Sequence, residues 1–193
     1  MTKAKLLSAI AIGLTLLGVG LITLLDAYLT AADYVSRLNE VDAEYQALSS
    51  GLFLLIGIFW MGSVDSVRRS IEPKKMDPWL RFSVIAFAAS YLLSMVFPCD
   101  AGCPPSGSLN QILHNSVVWL LYAGPFVFAI RMFFIPGMTR LERAISSPLL
   151  GIFVVMQLDV LVWQIAPGAL QRGYELLFCL LWWQHLARIS HSS

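Results

Sequence analysis

Acidic, imidazole and thiol groups crowd into one short block, Phe97-Pro98-Cys99-Asp100-Ala101-Gly102-Cys103-Pro104, with His114-Asn115 following ten residues after its last proline. One imidazole beside carboxylates is a usable general acid/base set, because His titrates near neutral pH and a buried carboxyl tends to keep its proton. In that reading His114 is the acid or base, Asp100 orients it, and Arg172 stabilises developing negative charge. A second set stands further on, where Asp159 and Glu175 flank Pro167-Gly168 nearly symmetrically. A helical hairpin turning there would hold both carboxylates at one depth, about 10 Å below its tip. Ionisable groups inside apolar helices face the bundle interior and are paired, and Arg172, three residues before Glu175, is the partner at hand. The competing reading makes these residues a polar clamp between two helices. Asn115, Gln164, Gln171 and Tyr174 are placed to orient a polar head group. The candidate catalytic residues are therefore Asp100, His114 and Glu175, and the candidate ligand-binding residues Asp159, Arg172, Asn115, Tyr174 and Gln164.

Cys99 and Cys103, with three residues between them in a turn containing Pro and Gly, allow a small disulfide loop that would rigidify Asp100; free thiols are the alternative. A CxxC redox motif is absent, and Cys179 reads as a small packing residue. No HxxxH or HExxH spacing supports a metal, and no phosphate loop, dinucleotide fingerprint or nucleophile elbow is present, so neither metal nor cofactor is expected.

The elements that must position these groups are read from the apolar runs. The 193 residues are 58% hydrophobic and only 13% charged, with a mean hydropathy of +0.71, against about a quarter charged in a soluble domain. Six segments reach the roughly 20 apolar residues needed to cross a bilayer: 6–25, 47–67, 80–97, 113–130, 148–165 and 169–186. Runs without period-two alternation are helices and not barrel strands, so the expected fold class is all-α, a single polytopic domain over 1–193. With the amino terminus inside, eleven Lys and Arg residues fall on the inner side and only Arg37 and Arg172 on the outer, which places both termini in the cytoplasm. The first run is longer than a signal-peptide core, which favours a retained helix over a cleaved leader. Residues 34–45 have helical apolar spacing and read either as a surface helix or as a solvated acidic loop.

At the inner side Asp65 should pair with Arg68 and Arg69, and Arg131 should snorkel to head groups. Trp182 and Trp183 read as interface aromatics, His185 and His191 as solvated or interfacial, and Thr139 to Ser147 as a short loop before a helix opening at Pro148. Ala86, Ala88, Ala89, Ser90 and Ser94 read as small packing residues.

The Tyr34-to-Leu38 and Ser49-to-Phe53 stretches, the Phe97-to-Pro104 block and His114-Asn115 resemble the prokaryotic six-helix membrane family called domain of unknown function 998. The resemblance covers nearly the whole chain, with the FPCDxGCP block and its downstream HN as the distinctive part. It implies a six-helix fold in a bacterial or archaeal cell membrane, the inner one in a Gram-negative host, and marks Phe97, Pro98, Cys99, Asp100, Gly102, Cys103 and His114. It implies no activity. A more distant similarity in architecture links the chain to the Frag1/DRAM/Sfk1 membrane proteins, whose eukaryotic members include factors for lipid remodelling of GPI anchors.

The function expected from the residues is binding or modification of a lipid or polyprenyl-type amphiphile in an outer-side polar pocket, with membrane lipids as partners and no nucleic acid. A non-enzymatic scaffold or accessory subunit is the alternative, and a proton-coupled small-solute carrier the third reading.

Overall fold

The computed structural model of the chain describes residues 2–25, 35–70, 77–158 and 167–191. Within them lie α1 (Lys3–Leu25), α2 (Gln46–Ser70), α3 (Pro78–Val96), α4 (Leu109–Phe133), α5 (Arg140–Leu158), α6 (Pro167–His191) and a 3₁₀ turn, Val35–Asn39. No strand occurs among the described residues, in keeping with the all-α class. By length and composition, α1 to α5 can each cross a membrane. The exception is α6, which carries Gln171, Arg172, Glu175, Gln184, His185 and Arg188. Packing explains why it tolerates them. Tyr174, Phe178, Leu181 and Trp182 of α6 have no exposed surface, so this helix presents its length to other helices.

Each helix packs on its neighbour in the chain, and α6 closes the bundle by touching α1 and α4 as well as α5. Lipid tails are as apolar as leucine, so helix register is set by close packing and buried hydrogen bonds more than by hydrophobicity. Gly124 supplies the first: a Cβ there would lie 2.5 Å from the Ser83 carbonyl oxygen, so only glycine lets the α3 and α4 backbones meet. Indole N–H groups supply the second. Trp60 Nε1 donates to Thr15 Oγ1 (3.0 Å), and Trp182 Nε1 donates to Ser8 Oγ (3.2 Å) and Ser63 Oγ (3.3 Å), tying α6 to α1 and α2. Trp182 is thus a core residue and not an interface aromatic; its N–H finds a serine pair inside the bundle. Trp60, Phe87, Phe128, Phe178 and Trp182 form the surrounding aromatic core.

Helix starts follow local capping. Asp77 accepts from Trp79 N (2.9 Å) and Leu80 N (3.3 Å) with Pro78 as the first helical residue of α3. Ser108 accepts from Gln111 N (3.2 Å), so α4 begins at Leu109, a turn earlier than the apolar run suggests. The correction is larger for α5. Thr139 Oγ1 accepts from Glu142 N (3.1 Å) while Glu142 Oε2 accepts from Thr139 N (2.8 Å), a reciprocal capping box that opens the helix at Arg140 and leaves Pro148 inside it. Pro167 and Gly168 likewise belong to the first turn of α6, so they are not the middle of a hairpin turn.

The bundle has two chemically different ends. The basic end gathers the finish of α2 (Asp65 paired with Arg68 at 3.1 Å and Arg69 at 2.7 Å), the start of α3, the finish of α4, the start of α5 and the finish of α6. Arg131 does not snorkel there: its Nε and Nη2 lie 2.8 and 2.7 Å from Asp77 Oδ2, because the α3 cap stands directly beside it. The opposite, cap end carries the 3₁₀ turn, loop 97–108 and the start of α6.

Candidate functional site

The cap is built on loop 97–108. Phe97 caps α3 through its N–H to the Leu93 carbonyl (2.8 Å), and the chain then turns back over Gly102 at φ 77° and Cys103 at φ 46°. Cys99 and Cys103 lie at disulfide-bonding distance, with their Cα atoms 5.1 Å apart. Cys99 has no exposed surface. Asp100 turns inward onto its own loop. Ser108 N donates to Oδ2 (2.9 Å) and Ser108 Oγ to Oδ1 (2.8 Å), and these two bonds hold the Asp100 carboxyl below its ordinary value of 3.8. Asp100 N donates to Gln111 Oε1 (2.7 Å), Gln111 Nε2 to Asn115 Oδ1 (2.8 Å), and Asn115 Nδ2 to the Pro105 carbonyl (3.0 Å). Asp100 and Asn115 therefore belong to one closed clamp that fixes the loop.

His114, 2% exposed, is oriented by the loop backbone and not by Asp100. Its Nδ1 is 2.7 Å from the Phe97 carbonyl, an atom that can only accept, so Nδ1 carries the proton. In the neutral ring Nε2 is then a bare acceptor, buried and without a hydrogen-bond partner among the described residues.

Below the cap lies a cleft of about 290 Å³, its open mouth included. Polar lining comes from Glu175, Gln171, Tyr91, Ser36, Ser90 and Ser94, and apolar lining from Phe53, Val118 and Leu121 among others. Glu175, 2% exposed, is the ionisable residue of that lining. Tyr91 OH donates to its Oε2 (2.6 Å) and Gln171 Nε2 to its Oε1 (3.2 Å), while Val35 N of the 3₁₀ turn donates to Gln171 Oε1 (3.2 Å). The Tyr91 ring is itself fixed edge-on against Phe53 and Phe87 at 5.3 and 5.4 Å. One helical turn separates His114 from Val118, so the imidazole stands on the cleft-lining face of α4, above the cleft.

Cap and cleft are coupled through the 3₁₀ turn, two of whose residues, Val35 and Ser36, line the cleft. Buried Asn39 donates to the Ser94 carbonyl (2.9 Å) and accepts from Ser50 Oγ (2.6 Å). Val41 N donates to the Cys99 carbonyl (2.9 Å), and Gly102 N donates to Glu40 Oε2 (2.8 Å). Cys99 Sγ sits 3.5 Å from the Ser36 carbonyl. Glu40 and the two sulfurs lie within 4.8 Å of one another, a grouping able to hold a metal only if the cysteines are thiolates.

The candidates thus fall into separate places. Glu175 and Gln171 meet in the cleft; Asp100 and Asn115 meet in the cap clamp; His114 stands between. Tyr174 turns elsewhere: its hydroxyl donates to the Tyr122 carbonyl (2.7 Å), beside Pro125, which interrupts the α4 ladder. Arg172 is half-buried and is not part of the described cleft lining. Asp159 and Gln164 lie outside the described residues.

A model of the family described as protein of unknown function (DUF998) matches residues 9–186. The chain belongs to that family. No curated protein and no solved structure matches it. The matched span takes in the whole cap and cleft of this DUF998 protein and stops short of Arg188 in the last turn of α6.

Two residues of this DUF998 chain, Tyr91 and Glu142, are not among the candidates drawn from the sequence, and a third, His185, lies deeper than its position suggests. Tyr91 sits among apolar residues of α3 with nothing in the sequence to single it out, and only the fold brings its hydroxyl to Glu175. Glu142 has no exposed surface and accepts from Arg188 Nε (2.9 Å) beside the ring of His185. Its signal was present in Thr139-x-x-Glu142. His185 is correspondingly buried, wedged edge-on to Phe128 at 5.6 Å, and not solvated.

Proposed function

We propose that this protein is a multi-pass membrane protein with six spans, its cap end facing outward, whose cleft receives the polar head of a membrane amphiphile. The carrying observation is Glu175, a buried ionisable group set on a cleft whose lining combines hydroxyl and amide groups with Phe53, Val118 and Leu121. Small-molecule sites combine a mostly apolar wall with a few convergent polar groups; the enclosed part of this cleft is small, because its volume of about 290 Å³ includes the solvent at its mouth, so it meets the tip of a polar head group and leaves acyl chains outside. The excess of Lys and Arg at the opposite end favours the outward orientation of the cap. The test fills the cleft. Wild type and Val118→Trp are purified gently and their native mass spectra compared; a co-purifying amphiphile present in wild type and lost from an otherwise monodisperse Val118→Trp supports the reading, and its persistence in the variant sinks it.

A second reading has its own observation. Glu175 joins α6 to α3 through Tyr91, and through Gln171 to the 3₁₀ turn, so the same residues also serve to lock the bundle of a scaffold or accessory subunit. That reading predicts that Glu175→Gln lowers thermal stability and that no lipid co-purifies.

A further inference from the structure

We infer that the chemical group this cleft takes is a primary ammonium, as on the head of an aminophospholipid. This rests on the head-group reading above and adds the ligand's charge and hydrogen-bonding sense. The argument is an inventory of donors. Tyr91 O–H is engaged by Glu175 Oε2 at 2.6 Å, one Gln171 amide N–H by Glu175 Oε1 at 3.2 Å, Ser90 O–H by the Phe87 carbonyl at 2.7 Å, and Val35 N–H by Gln171 Oε1 at 3.2 Å. What these groups still offer is oxygen lone pairs: the phenol oxygen of Tyr91, Ser90 Oγ and the remaining acceptor positions of the carboxylate, which has about four. The second Gln171 N–H and the hydroxyls of Ser36 and Ser94 are neutral, and a hydroxyl rotates to accept as readily as to donate.

Charge points the same way. Glu175 is the single formal charge among the described lining residues, which include no Lys, Arg or His. A phosphate or carboxylate entering so small a space would stand against a like charge in a medium that screens poorly. An ammonium offers three N–H donors to a wall of acceptors and reaches the Glu175 carboxylate directly, whereas the Arg172 guanidinium acts on it from outside the lining. Charge-assisted bonds of this kind are about twice as strong as neutral ones.

The experiment uses the full chain in dodecyl maltoside, titrated in separate arms with dihexanoyl phosphatidylethanolamine, dihexanoyl phosphatidylglycerol and ethanolamine alone, with bound species counted by native mass spectrometry. Wild type should retain phosphatidylethanolamine at least about tenfold better than phosphatidylglycerol. Glu175→Gln should erase that preference, whereas Glu142→Gln, which neutralises the buried carboxylate at the opposite end of the bundle, should preserve it; the second variant guards against an effect of lost stability alone. Binding of ethanolamine at the affinity of the lipid assigns the same ammonium site to a free amine, and weaker binding assigns it to the lipid. Equal retention of both lipids, blocked by Val118→Trp, overturns the ammonium assignment and leaves the head-group cleft standing. No retention sensitive to Val118→Trp overturns both.

Discussion

Replacing Glu142 by Ala should cost more stability than any other single carboxylate removal at the basic end. Its carboxylate has no exposed surface, accepts from Arg188 Nε at 2.9 Å and completes the capping box with Thr139 N at 2.8 Å. Deleting one partner of a buried ion pair costs about 3–5 kcal/mol. Arg188 keeps 19% of its side-chain surface, along with contacts to the Pro136 carbonyl (3.4 Å) and the His185 ring (3.0 Å), so water and these neighbours recover part of that loss. Losing the cap adds about 1 kcal/mol. The net is about 3 kcal/mol, and at roughly 2–4 °C per kcal/mol for a chain of this size the melting temperature should fall by about 6–12 °C. The assay is thermal unfolding in detergent of Glu142→Ala, Glu142→Gln, Arg188→Gln and the double Gln variant. Glu142→Gln keeps an oxygen for Thr139 N and so isolates the ion pair, and the cycle should return a coupling of about 1–3 kcal/mol. Melting of Glu142→Ala within about 2 °C of wild type, or strict additivity in the cycle, would refute the reasoning.

Two further outcomes concern the cap. Asp100 is held below its ordinary 3.8 by Ser108, so its share of loop order is fully present above that value and is lost as pH falls from 3.8 through the lower folded value. Exchange protection of the Ser108 amide should decline over that acid range in wild type and be insensitive to it in Asp100→Asn; matching profiles would count against the clamp. Cysteine labelling addresses the other feature. Denatured without reductant, the chain should take one alkyl group, at Cys179, and three after reduction; three without reductant would mean that Cys99 and Cys103 are thiols.

Much of this arrangement is written in single residues, and the exceptions share a cause. Asp77-Pro78 and Ser108 mark the starts of α3 and α4 by local capping, which a sequence displays directly. Thr139-x-x-Glu142 displays the start of α5 equally well, but Pro148 offers a second helix start, and length alone cannot choose between them. Glu175 is conspicuous because a carboxylate in an apolar run must be answered by something. Gln171, one turn before it on α6, is legible from spacing alone, but Tyr91 reaches it from α3, 84 residues away in the chain, and nothing in the periodicity of α3 distinguishes Tyr91 from a packing aromatic. Ser90 and Ser94 are small residues in a helix face, and a face that packs and a face that lines a cleft carry the same spacing. Trp182 and His185 lie near a chain end, where proximity to the interface suggests exposure; the burial of both comes from α6 occupying the interior, a consequence of tertiary packing.

Among the described residues two buried carboxylates, Glu142 and Glu175, are answered in different ways. Glu142 is answered from within by a guanidinium and a helix start, so its charge is compensated and its surroundings are closed. Glu175 draws its hydrogen bonds from a phenol and an amide, the Arg172 guanidinium acts on it only through space from the same helix, and it borders open space. That space is the route by which a ligand of the proposed kind would reach it. The cap explains how the route is kept in shape: Asp100, Ser108, Gln111 and Asn115 engage one another, and their loop holds the 3₁₀ turn through Val41 and Glu40. That turn in turn carries Val35 and Ser36 into the cleft wall and hands a backbone N–H to Gln171. If the cleft takes a head group as proposed, the Phe97-to-Pro104 block acts at a distance from it, by setting the position of the 3₁₀ turn, and substitutions there should alter cleft affinity without changing which head group is preferred.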